Sequence, residues 1–316
     1  MQFKKYNSID NHYREKTINH IRMLPCYQDE WVAMEKIHGA NFSIYCDIDG
    51  TYRCAKRSGF IGEDESFYGY QYAVDKYITS MFEMVASLRK PVTFVGELAG
   101  KAENRKAVQK EVEYGDLDIY LFDIIVDGEF MDFTKFMLFC ATYNLKIAPV
   151  IATGPFEEML ALDCEFDSKV LCKEGNTTEG LVLKPYTTAY MNNGSRAIIK
   201  KKSKAFSENK RNQGQGKSAI PPLSEANKVL LSQTLELVNK PRVQNALSKM
   251  GEFEPKMFGK LVGLVTKDVF DDADRDFETS LKDVVGDDWK AFSKAVQADI
   301  ASLIRDNLQN IIDGEF

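Results

Sequence analysis

The stretch Lys36-Ile37-His38-Gly39-Ala40-Asn41 follows the apolar run Trp31-Val32-Ala33-Met34 and the acid Glu35. A lysine at a strand end, followed by a glycine turn, presents a primary amine at the floor of a cleft. A deprotonated amine is a nucleophile. Its natural electrophile here is a nucleotide phosphate, because a lysine-rich strand arrives later in the chain. A surface lysine before a turn has the same four-letter pattern, so the motif takes its meaning from its companions.

Three acids are such companions. Glu97 lies in Phe94-Val95-Gly96-Glu97-Leu98-Ala99-Gly100, Asp123 in Tyr120-Leu121-Phe122-Asp123-Ile124-Ile125, and Glu179 in Thr178-Glu179-Gly180-Leu181-Val182-Leu183-Lys184. An acid in or beside an apolar strand is costly if buried alone, so it calls for a ligand hydroxyl, a metal or a base. A solvated strand edge or a structural ion pair would satisfy the same letters. The run Ala197-Ile198-Ile199-Lys200-Lys201-Lys202 adds geometry, because side chains two apart in a strand share a face. Lys200 and Lys202 therefore point the same way. Such a pair can grip a triphosphate, and like-charge repulsion would help Lys36 to shed its proton. Glu179 could then hold Mg2+ on the phosphates.

Stepping outward, 316 residues allow two domains or one large one, and 44% apolar with 28% charged residues is an ordinary globular mixture. No apolar run is long enough to cross a membrane, and the opening Met1-Gln2-Phe3-Lys4-Lys5-Tyr6 lacks a secretory core, so a cytoplasmic protein is expected. The six cysteines form no CxxC pair, which favours reduced thiols over a disulfide frame. With only three histidines, a structural zinc site is not expected. Net charge is −6, yet residues 196–211 hold seven bases against one acid, while residues 1–195 hold 21 bases and 29 acids. That contrast predicts a local positive patch for phosphates on an acidic body, the alternative being a solvated linker.

Strands are predicted at 31–36, 42–47, 51–56, 92–98, 118–126, 180–184 and 196–201, with hairpin turns at Asp49-Gly50 and Asp127-Gly128. Helices are predicted at 71–88, 132–143 and, opened by Pro155, 155–162. Residues 209–224 have the composition of a linker. Beyond it the period becomes helical: from Ser224 to about 239, 241–250 closed by Gly251, 255–271, and a last stretch opened by Ser280 or Asp287 and reaching about Ile312. The expected organisation is a mixed α+β domain over 1–208, the linker 209–224, and an all-helical domain over 225–316.

With these residues in place the chain resembles the bacteriophage nick-sealing RNA ligases, the RNA ligase 2-like branch that includes the kinetoplastid RNA-editing ligases. These belong to the covalent nucleotidyltransferases, with ATP-dependent DNA ligases and mRNA capping enzymes. The resemblance runs in order through Glu35–Asn41, Ala55-Lys56-Arg57-Ser58-Gly59, Phe94–Glu97, Phe122-Asp123-Ile124, Glu179–Pro185 and Ile199–Lys202, with Phe3–Tyr6 and Asn11–Tyr13 at the start. His38 favours the RNA ligase branch, since most DNA ligases and capping enzymes carry an aspartate there. After Ser207 the likeness is one of helical type more than of motif.

The resemblance implies an adenylyltransferase domain of antiparallel sheets flanked by helices, followed by a small all-α domain. It implies ATP with Mg2+ or Mn2+, and three steps: lysyl-AMP, RNA-adenylate, and sealing by a 3′-hydroxyl. Lys36 is the implied nucleophile, with Glu179, Lys200, Lys202 and His38 as further catalytic residues. Glu35, Asn41, Arg57, Glu97, Phe122, Lys184, Lys200 and Lys202 are the implied nucleotide-binding set, with Phe122 stacking on adenine and Glu179 as the metal or phosphate-site acid. His38 and Asn41 are also implied in the RNA steps. The expected partners are ATP and nicked duplex or bridged RNA, with no membrane, and a monomer working in the cytoplasm (the infected host's, if phage-encoded). A DNA ligase, a guanylyltransferase and a non-catalytic RNA-binding relative are the rivals. The first two normally carry a β-barrel where this chain turns helical, and the last would have no need of Lys36, Glu179, Lys200 and Lys202 together.

Overall fold

The structure is a computed structural model, and it describes residues 1–207, 223–275, 277 and 279–316. Of the expected linker, 209–222 lie outside the described residues. The chain divides into two compact units, Met1–Phe206 and Ser207–Phe316.

The first unit opens with β1 (Asp10–Asn11) and α1 (Glu15–Arg22), then β2 (Trp31–Glu35), β3 (Ala40–Cys46), β4 (Tyr52–Lys56) and β5 (Gly59–Phe60). Next come α2 (Gln71–Val74), α3 (Ile78–Leu88), β6 (Val92–Ala99), β7 (Asp118–Val126), β8 (Glu129–Phe130) and α4 (Phe133–Thr142). It closes with β9 (Val150–Gly154), α5 (Phe156–Ala161), β10 (Gly180–Pro185) and β11 (Ile199–Lys202). Five strands form one sheet in the order β1-β11-β10-β2-β9, and six form another in the order β5-β4-β3-β6-β7-β8. Every pairing is antiparallel except β1 on β11.

Strand alternation decides which side chains face the site. On β2, Trp31 and Ala33 join a core with Ile18 and Ile21 of α1 and Phe156 and Met159 of α5. Val32 and Met34 point the other way, into the core shared with Phe42, Phe94 and Leu121 of the six-stranded sheet. Lys36 continues the Val32–Met34 phase into that inter-sheet side. On β11 the buried Ile199 belongs to the α1–α5 core, and Lys201 follows it, donating to the carbonyls of Leu160 (3.0 Å) and Leu162 (2.5 Å). Lys200 and Lys202 therefore share the opposite face, as their spacing predicts.

The long strands and both hairpins lie where the sequence places them; Asp127 and Gly128 both take positive φ, the conformation a two-residue turn between right-twisted strands requires. Three expectations need correction. The helix expected over 71–88 is two helices, broken at 75–77, where Lys76 donates to Leu117 O and Tyr77 to Asp118 at the start of β7. The last strand begins at Ile199, not 196, because Arg196 turns inward to Asp123. The positive patch is only partly at the surface: Arg196 and Lys202 are buried and Lys201 caps carbonyls, while Lys200 is half-buried, Lys204 is exposed, and Lys210 and Arg211 lie outside the described residues.

The second unit is helical: α6 (Glu225–Leu235), α7 (Lys240–Met250), α8 (Phe258–Asp274), α9 (Leu281–Val285), α10 (Trp289–Asp306) and α11 (Leu308–Asp313). Ser224 caps α6 by accepting from Asn227 N, and Gly251 closes α7 at a φ of 86°. Ser280 does open a helix, but one of five residues, and three helices replace the single expected stretch. Leu231, Val243, Leu261, Val265, Phe292 and Ile300 anchor a core of its own.

Candidate active site

Lys36 is set at the end of β2 by its backbone N–H, which donates to Gly180 O at 2.8 Å. The turn that follows needs glycine: a Cβ at Gly39 would lie 2.2 Å from Leu98 O on β6. This close approach brings the end of β2 against the six-stranded sheet. Gly180 serves the other side. Its φ is +140°, and a Cβ there would lie 2.0 Å from Lys201 O, so β10 and β11 meet with no side chain between them beside Glu179.

Glu179 is the hub. Its Oε2 accepts from Lys36 Nζ at 2.8 Å, and Lys202 Nζ lies 2.9 Å from Oε1. His38 turns Nδ1 to the same Oε2 at 3.2 Å and Nε2 to Glu111 Oε2 at 3.1 Å. Burial alone would raise the Glu179 carboxyl; the Lys202 and Lys36 ammoniums and His38 outweigh it and hold it well below the usual range. His38 is buried, which by itself would lower its pKa, but the two carboxylates more than reverse this and raise it. Its ring meets Phe206 edge-on at 4.7 Å, and its backbone N–H donates to Tyr114 Oη at 2.7 Å.

The expectation that Lys200 and Lys202 act on Lys36 by repulsion is corrected here. A carboxylate stands between Lys36 and Lys202 and pairs with both. The nearest charged neighbour of the Lys36 amine is an anion, Glu179 at 2.8 Å.

Glu97 sits opposite Asn41 in the β3–β6 register, near Lys36. Burial pushes its carboxyl up to about 7, with Lys36 opposing and Glu179 adding to the rise. Arg57 also bears on Glu97 and reaches toward Asn7 O and Ser8 Oγ, each at 3.4 Å. Glu35 is on the far face of β2: Ser168 Oγ donates to its Oε1 at 2.6 Å and Lys169 N to its Oε2 at 2.7 Å. Its side chain is therefore committed to the 168–169 loop, and its backbone N–H donates to Pro149 O at 2.8 Å.

Phe122 and Lys184 belong to a second buried cluster. A bulge in the β6–β7 register leaves Phe122 without an opposite residue. Its partly buried ring packs edge-on against Tyr6 at 5.4 Å. Asp123 takes Lys184 Nζ at 2.9 Å, Arg196 at 2.7 Å and the Tyr6 hydroxyl at 2.5 Å. Despite burial, Lys184 and Arg196 hold the Asp123 carboxyl far below its usual range. Lys184 also donates to Phe122 O, so its ammonium is spent inside this cluster. The structure thus brings Lys36, His38, Glu97, Glu179 and Lys202 together, and sets Glu35 and Lys184 on other partners. Sequence reasoning missed Glu111, Tyr114, Tyr6 and the buried role of Arg196.

Among the described residues no group of three or more His, Cys, Asp or Glu side chains is arranged to hold a metal ion. Glu179, the implied ligand, faces the Lys36 and Lys202 ammoniums and the His38 imidazole instead. These residues do not form a protein-only metal centre.

The family model described as RNA ligase matches residues 29–202, and one described as T4 RNA ligase 2 C-terminal matches residues 221–302. The chain belongs to the RNA ligase family, and it is an RNA ligase. It is 30% identical to the mitochondrial RNA-editing ligase 2 of Trypanosoma brucei brucei, over 89% of this chain and 85% of that protein. It is 28% identical to the mitochondrial RNA-editing ligase 1 of the same organism, over 49% of this chain and 44% of that protein. A Naegleria gruberi RNA ligase solved with AMP and Mn aligns with a TM-score of 0.48 at 18% identity, over 65% of this chain and 57% of that one.

Proposed function

We propose that this ligase uses ATP to seal a 3′-hydroxyl to a 5′-phosphate in nicked duplex or bridged RNA, through AMP bound covalently to Lys36. The observation that carries this reading is the Lys36 amine held 2.8 Å from a buried carboxylate that Lys202 and His38 also contact. In the first step the Lys36 lone pair forms a P–N bond to the α-phosphorus of ATP. The P–O bond to the β-phosphate breaks and pyrophosphate leaves with the bonding pair. The ammonium proton departs first, to solvent at the partly exposed amine, because Glu179 is held in its charged form by Lys202, Lys36 and His38 and pairs with the amine without taking its proton. Lys202, and Lys200 on the same strand face, would hold the phosphate oxygens as charge builds on them. The RNA 5′-phosphate then takes the adenylate from Lys36, and the 3′-oxygen displaces AMP. Mg2+ or Mn2+ is expected to arrive on the nucleotide's own phosphates. Arg57, Glu97, Asn41 and Phe122 are the proposed contacts for the nucleoside and RNA ends.

Mixing the protein with ATP or GTP labelled at the α-phosphate tests this directly. ATP should leave one AMP on Lys36, read by mass spectrometry. Lys36→Ala should carry none and seal no 5′-phosphorylated nick, yet still join a pre-adenylated end weakly. An adduct formed with GTP alone, or sealing at the wild-type rate by the variant, would reject the reading.

A further inference from the structure

The loop between β6 and β7 carries the alternation Glu111-Val112-Glu113-Tyr114, in which Val112 and Tyr114 are buried, Glu113 is exposed and the Glu111 side chain is partly covered. The loop is fixed from several sides. Val108, Val112 and Tyr114 are part of the core of the unit. Glu113 N donates to Asn176 Oδ1 at 2.8 Å, Asn176 Nδ2 donates to Glu113 O at 2.9 Å, and Lys173 pairs with the Glu113 carboxylate at 2.7 Å. Gly100, at a φ of +94°, lets the chain pass so close that a Cβ would lie 2.4 Å from Asp116 O. A loop anchored this way delivers Glu111 to a defined place.

That place is the outer nitrogen of His38. Nε2 meets Glu111 at 3.1 Å, Nδ1 meets Glu179 at 3.2 Å, and the Tyr114 hydroxyl accepts the His38 backbone N–H. An imidazole with one carboxylate on each nitrogen has its ring plane and rotamer fixed, since turning it would break both contacts. The Glu179 oxygen that receives Nδ1 is the same one that receives the Lys36 ammonium. We propose that Glu111 is a positioning residue for ligation: it orients His38 so that the imidazole and Lys36 converge on one oxygen of Glu179. The 100–117 loop is thereby part of the catalytic apparatus. This rests on the reading of Lys36 and Glu179 as the reacting centre. A failure there shows as no AMP on Lys36 of the unmodified chain, whereas a failure of the Glu111 role leaves that adduct intact.

The test is a double-mutant cycle on the full chain, with single-turnover sealing of a pre-adenylated RNA nick as the readout. Glu111→Ala should slow sealing by at least tenfold. Glu111→Gln should keep most of the rate, because an amide oxygen still accepts from Nε2–H. In a His38→Ala background, Glu111→Ala should cost nothing further. Because the chain has only three histidines, the His38 ring nitrogens can also be followed by NMR, and their signals should shift in Glu111→Ala far more than in Glu111→Gln. An equal cost of Glu111→Ala with and without His38, or a Glu111→Ala variant that seals at the wild-type rate, would overturn the assignment.

Discussion

Glu97 shows how one side chain can record its surroundings in the stability of the whole unit. Its ordinary pKa of 4.5 is pushed to about 7 by burial, so the folded chain keeps a proton that the unfolded chain releases. Between these values the native state binds more protons than the unfolded state, and stability falls as pH rises from 4.5 through about 7. His38 adds to the trend: its raised pKa means that its contribution, complete below the unfolded value of 6.5, is lost as pH climbs through the folded one. Glu97→Gln isolates the first effect. Relative to the wild type it should be more stable to denaturant at pH 8 and unchanged near pH 4.5. Parallel curves for the two proteins would remove Glu97 from the buried side of the cleft. The residues proposed to carry the chemistry have a local signal in the sequence: Lys36 before its glycine, the acid before Gly180, and two lysines on one strand face. Asp123 showed only that it needed a partner. Its partners Tyr6 and Arg196 are 117 and 73 positions away, so no local pattern links them, and Glu111 is invisible for the same reason.

Among the elements, β10 and β11 make the clearest demand on sequence. The period-two alternation places Lys200 and Lys202 on one face, yet only the approach at Gly180 allows Glu179 to reach both Lys202 and Lys36. Gly180→Ala puts a methyl group where Lys201 O already is and adds a residue at a φ that side chains rarely adopt. The strands must part or the backbone must rotate. A destabilisation of about 1–3 kcal/mol is expected from overpacking of this kind. Formation of the AMP adduct should fall by more than this stability loss explains, because the shift moves Glu179 itself. Denaturant midpoints together with adduct formation well below the unfolding transition check this. An unimpaired adduct would mean that the Glu179 position is not set by this contact. The same element shows why part of the expected patch is not at the surface. Charge counted along a chain says nothing of depth, and β11 is an inner strand, between β1 and β10, that spends Lys201 and Lys202 on fixed partners.

At the scale of the whole chain, each of the two units has a core of its own. The Lys36–Glu179–Lys202 constellation and the Asp123 cluster are built from residues of the first unit, and the helices of the second close on Val265, Phe292 and Ile300. The hydrophobic period of the sequence changes after residue 224, although nothing in the helical sequence names a ligand. Residues 225–316 hold 12 bases against 17 acids, so the second unit offers no broad electrostatic attraction for RNA. Its contribution to a duplex should therefore be a limited set of contacts that matter at the nick and not for ATP. A chain ending at residue 216 should fold, bind ATP and carry AMP on Lys36 at close to the full-length rate. It should lose most sealing of nicked duplex RNA, at least tenfold, with the loss larger at subsaturating nick concentration. Adenylation and sealing measured on the same preparation separate the two effects. Unchanged sealing would deny the helical unit any part in gripping the nick, and a parallel loss of adenylation would mean that the first unit does not hold the nucleotide site by itself.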